Sequence, residues 1–73
     1  PVIVEEPNIK VTNKTLIIEN IEASEINVYS ITGAIIESVK NSNIIDLSHL
    51  SGMYIVKVNS IDNNSFSNKI IIQ

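Results

Sequence analysis

The chain has 73 residues, enough for one small domain. Hydrophobic residues make up 44% and charged residues 18%, which argues against a disordered chain. Five lysines, no arginine, a net charge of −3 and 4% aromatic residues leave neither a basic patch nor stacking surface, and so weigh against nucleic-acid binding.

A domain of this size buries about 60% of its unfolded surface, and its stability is on the order of 3–5 kcal/mol. The mean hydropathy of +0.22 is high for so small a soluble domain. Some aliphatic surface is therefore expected to stay exposed or to be covered by another surface. No apolar run approaches the ~20 residues of a membrane-spanning helix. The opening Pro1–Glu6 lacks the basic start of a secretion signal, so an exported form would carry that signal on a longer precursor or have lost it by removal. Cysteine is absent, which excludes disulfides and thiolate metal sites.

Along the chain, Pro1–Pro7 places an acidic pair between prolines and reads as a linker or the tail of an upstream region. Residues 8–73 read as the domain. Short β-branched runs follow one another between polar turn residues. Strands are expected at Ile9–Thr12 and Thr15–Ile21, joined by Asn13-Lys14. Leu16 and Ile18 share one face there, with Ile17 and Ile21 opposite. Glu22–Ser24 connects to a strand at Glu25–Ile31, whose Ile26 and Val28 share a face, and Ile21–Glu25 is able to form a turn. Thr32-Gly33 leads into Ala34–Lys40, and Asn41–Asn43 into Ile44–Leu47. After Ser48–Gly52 comes Met53–Ser60, with Tyr54, Val56 and Val58 on one face and Met53 and Ile55 on the other. Ile61–Asn64 turns into Ser65–Ile72, where Phe66, Ile70 and Ile72 share a face and Ile71 lies opposite. The whole pattern predicts an all-β fold, a small antiparallel β-sandwich of about seven strands.

Groups suited to catalysis or metal binding are sparse. His49 is the sole histidine and lies in a predicted loop, where a solvated or turn-capping role is expected. Asp46, Ser48 and His49 are the residue types of a hydrolase triad, but they crowd into one loop without a strand–turn–helix elbow. Glu19, Glu22 and Glu25 lack the ligand spacing of a calcium loop. Asn13-Lys14-Thr15 and Asn63-Asn64-Ser65 fit a glycosylation sequon, a short pattern with many chance matches. No catalytic, metal or cofactor site is therefore expected, and the chain does not read as an enzyme. Gly33 and Gly52 sit at strand junctions, where glycine takes positive φ at no steric cost. Both are expected to set hairpin register. Lys69 interrupts an aliphatic ending, as a residue guarding an edge strand does. No mechanism attaches to the abundance of asparagine.

The order of three stretches is more specific than any one of them. "INVYSITGAII", then "NIIDLSHLSGMYIVKV", then "SNKIIIQ" resemble the C-terminal sorting domain (type A) of cargo of the type IX (Por) secretion system of Bacteroidetes. Tyr29 and Gly33 match its Tyr-x-x-x-Gly turn. Leu47, Leu50, Gly52 and Tyr54 match its Leu-rich bridge and Gly-x-Tyr strand. Lys69, Ile70, Ile71 and Ile72 match its terminal Lys and aliphatics. The resemblance runs from Asn8 to Gln73 and departs where Pro7-Asn8-Ile9 replaces the family's Pro-Asn-Pro. It implies an immunoglobulin-like sandwich that acts as an address for an upstream cargo domain of the same precursor. The partners implied are the outer-membrane translocon and a surface sortase that removes the domain. The route implied runs through the periplasm to the cell surface or the medium. Unprotected strand edges also predict weak homodimers of the isolated domain. On the residues alone, a structural immunoglobulin-like or fibronectin-like spacer of an adhesin or hydrolase remains the other reading.

Overall fold

The computed structural model describes residues 6–73; residues 1–5 of the expected linker lie outside the described residues. Seven strands follow in order: β1 Asn8–Thr12, β2 Thr15–Glu19, β3 Ala23–Ser30, β4 Ile35–Lys40, β5 Ile44–Asp46, β6 Gly52–Ser60 and β7 Ser65–Ile72. Every expected strand is present, and the differences lie at the ends. β2 stops at Glu19 because Asn20 takes a φ of 76° and turns the chain. Ile21 then packs against the core instead of lying on the opposite face. β3 begins at Ala23, earlier than expected, and Ser24 forms a bulge against β6 whose hydroxyl donates to the Asn59 carbonyl.

The strands form two antiparallel sheets, β1-β2-β5 and β4-β3-β6-β7. Alternation sends Leu16, Ile18 and Ile45 inward from the first sheet. Ile26, Val28, Val56, Val58, Ile70 and Ile72 meet them from the second, and Leu47, just past β5, completes the core. Each such side chain contributes about 1.5–3 kcal/mol on burial. Three connections are hairpins, while β2–β3, β4–β5 and β5–β6 cross between sheets. This is an immunoglobulin-like sandwich in which the fourth strand pairs with the third rather than with the first sheet.

Asparagine supplies much of the turn geometry. Asn13, Asn20, Asn41 and Asn63 all have positive φ, between 51° and 76°. Asparagine enters that region more readily than other L-residues because its short side chain bonds locally. Asn13 and Lys14 together form the two-residue β1–β2 turn. Asn43 acts through its side chain: Nδ2 donates to the carbonyls of Ile18 and Ile21, and Oδ1 accepts from the Ala23 N–H. It thereby ties the end of β2 to the start of β3 where the chain changes sheets. The asparagine content thus has a structural cause that composition did not reveal.

The two hairpins of the larger sheet are built alike. In the β3–β4 turn the Ser30 N–H donates to Ala34 O at 2.8 Å and the Gly33 N–H to Ser30 O at 2.9 Å. In the β6–β7 turn the Ser60 N–H donates to Asn64 O at 2.8 Å and the Asn63 N–H to Ser60 O at 3.1 Å. Ser30 and Ser60 each also accept, through Oγ, from the N–H of the residue four on. Gly33 at φ 96° and Asn63 at φ 67° fill the same left-handed position. A shift of 30 residues, from Ser30 to Ser60, maps Ile26 onto Val56 and Val28 onto Val58, the residues of the pairs Ile26↔Val58 and Val28↔Val56. The four-stranded sheet therefore has an approximate two-fold axis through the pair Asn27↔Lys57.

Candidate functional site

The residues that carry the resemblance divide between the two faces of the larger sheet. Tyr54, Ile70 and Ile72 point inward: Ile70 is 7% and Ile72 2% exposed, and Tyr54 packs against the core. The Tyr54 hydroxyl donates to Ser51 O at 3.1 Å. This is the tyrosine corner of immunoglobulin-like domains, at the start of the strand that follows the crossover. Val56, two residues on and fully buried, takes the place that a disulfide cysteine holds in antibody domains. Leu47 and Leu50 bracket the same crossover, and the Leu50 N–H donates to Leu47 O.

Gly33 has the expected place in a hairpin. Gly52 does not: β5 and β6 lie in different sheets, so Gly52 sits where the crossover enters β6, opposite Ile72. Its φ of 104° explains the glycine there, since no neighbouring atom stands within 4 Å of a Cβ built at this position.

Tyr29, Lys69 and Ile71 face outward. Lys69 pairs with Ile55, and Ile55 pairs with Tyr29, so the first and third stretches meet in one row across β3, β6 and β7. Ile35 extends that row onto β4, and Met53 pairs with Ile71 in the row beside it. A bulge at Ile36 shifts the β3–β4 register and brings Ile35 opposite Tyr29. Ile35, Met53, Ile55 and Ile71 are all exposed, Ile71 to 60%. The contribution of Ile35 was missed in the sequence, because only the bulge places it in this row.

The polar candidates do not converge. Asp46 Oδ1 accepts from the Ser48 N–H at 2.9 Å. The Ser48 N–H and hydroxyl hold its carboxyl below the usual carboxylate range. His49 turns away to Glu37 on β4, with Nε2 to Oε1 at 3.1 Å, so Asp46, Ser48 and His49 form no relay. Glu19 binds Lys10 and Asn8, while Glu25 accepts from Asn59. Among the described residues, no group of three or more His, Asp or Glu side chains is placed to hold a metal ion.

Ile9, where the resembling sequences carry a second proline, leaves the strand entry intact. The Ile18 N–H donates to Asn43 O, away from β1, so the pair Ile9↔Ile18 is not hydrogen-bonded. The Ile9 N–H points off the open edge of β1, where a proline would cost no ladder bond.

The model of a family described as the secretion system C-terminal sorting domain matches residues 6–73. No curated protein matches the chain.

Proposed function

Since the chain belongs to the family of type IX secretion system C-terminal sorting domains, we propose that it is the address that sends an upstream cargo domain of the same precursor through the outer membrane. The observation that carries this reading is the extent of the match, which takes in all seven strands and both sheets. A fold alone would leave a structural spacer open, because spacers are built on the same sandwich. In this reading the domain performs no chemistry. The cargo passes through the periplasm, the outer-membrane translocon recognises the domain, and a surface sortase then removes it.

Recognition is expected to centre on β7. Ile70 and Ile72 anchor that strand in the core, while Lys69 and Ile71 face outward, available to a receptor. Gly33, Gly52 and Tyr54 hold the frame that presents it, and Tyr29 faces outward beside it. Removing Ser65–Gln73 from a fused reporter is expected to trap it in the periplasm. Lys69→Ala should weaken export while leaving the fold nearly intact, because one exposed charge contributes little stability. Normal surface delivery of the truncated reporter would refute the reading. A block confined to unfolded variants would return Lys69 to the role of guarding the sheet edge. Among the described residues, β7 is hydrogen-bonded to β6 alone, and its other edge is open. Weak self-association of the isolated domain through this edge is expected in sedimentation at high concentration, and a strict monomer would count against it.

A further inference from the structure

The two ends of the larger sheet's outer face share one backbone plan and differ in chemistry. At one end the cross-strand row runs Ile35–Tyr29–Ile55–Lys69. The two-fold relation maps it onto Ser65–Asn59–Glu25–Lys40 at the other end. Each row thus closes on a lysine, but three aliphatic or aromatic side chains stand where the second row has Ser65, Asn59 and Glu25. Within the second row Asn59 donates to Glu25 across the strands. The fold therefore accepts polar residues at these positions, and packing does not account for the apolar ones. Met53 and Ile71 widen the apolar row, and Ile71 is the more exposed of the two at 60%.

The charge on this face also runs against that of the molecule. Among the described residues, Lys40, Lys57 and Lys69 stand on it against Glu25 alone, whereas the chain as a whole carries −3. An aliphatic patch bordered by Lys57 and Lys69 complements an apolar protein surface edged with carboxylates. An anionic bilayer offers the same two chemistries, but over an extended plane it would repel the acidic body of the domain.

The geometry points to the outer face around Tyr29, Ile35, Met53, Ile55 and Ile71 as a docking surface for an apolar, carboxylate-edged protein patch of the secretion machinery. This rests on the sorting reading above and names the surface that is read. It shifts the recognition site from β7 alone to a row that spans all four strands.

The test writes the polar row into the apolar one. The variant Y29N/I35S/I55E, in a full-length fusion of a reporter with the domain, is expected to keep its β-structure and lose at least tenfold of its export. I44S, which removes an aliphatic exposed to 56% on the other sheet, is the control and should export normally. If the triple variant unfolds, I55S alone carries the same prediction, with a loss of threefold or more. Equal export of the folded variant and the parent, or an equal loss in I44S, would overturn the docking surface while leaving the sorting reading in place. Failure of the parent fusion to leave the cell would overturn both. Binding of the parent, but not the variant, to phosphatidylglycerol vesicles would identify the occupant as lipid and overturn the protein partner.

Discussion

At the scale of single residues, the domain depends on side chains that shape its turns. Asn43 satisfies two carbonyls and one N–H at the point where β2 hands over to β3. Asn43→Ala should cost about 2 kcal/mol in urea denaturation, because partly buried backbone groups lose their partners. Gly33 presents a different case. Nothing lies within 4 Å of a Cβ at Gly33, so Gly33→Ala should cost only the conformational strain of φ 96°, about 1 kcal/mol. Asn63→Gly, at the equivalent turn, should be nearly neutral by the same measurement. Asp46 sets a pH dependence. Its carboxyl titrates lower in the folded state than in the unfolded chain, because Ser48 bonds the charged form. Its contribution to stability is therefore complete above the usual carboxylate range and is lost as the pH falls through the lowered value. Asp46→Asn should flatten that acid limb in unfolding curves taken at successive pH values.

At the scale of strands, alternation carried most of the information. β6 reads inward at Tyr54, Val56 and Val58, and its inward residues do face the core. Val56→Asp should place an unpaired charge among them and unfold the domain, seen as loss of the β-type circular dichroism signal. β7 reads as cleanly, since its buried Ile70 and Ile72 alternate with exposed Lys69 and Ile71. Alternation does not say which strand lies beside which. β5 and β6 follow one another across a short loop, like a hairpin, yet belong to different sheets. For the same reason Gly52 looked like a hairpin glycine and proved to be a crossover glycine. Bulges are equally silent in sequence: one extra residue at Ser24 or Ile36 changes a register without changing the pattern of residue types. Nor did the left-handed asparagines stand out, because asparagine serves turns, caps and exposed strand positions alike.

At the scale of the whole molecule, the inner faces of the two sheets close the core, and one end of the larger sheet's outer face stays apolar in water. The closed side accounts for the fold: two sheets, aliphatic side chains between them, and a tyrosine corner where the chain crosses. The open side gathers residues far apart in sequence, Tyr29 from β3, Ile55 from β6 and Lys69 from β7, into one row. That row exists only when the domain is folded, so an address of this kind is a surface rather than a peptide. The central claim is that residues 6–73 are sufficient as that address. Its most direct test is to append them to a protein that normally stays in the periplasm, in a cell with the type IX machinery, and to measure the fraction reaching the surface or medium. The account predicts that most of the fusion is delivered there, and that it remains inside when the domain lacks Ser65–Gln73. Retention of the intact fusion in the periplasm, with the domain folded, would contradict it.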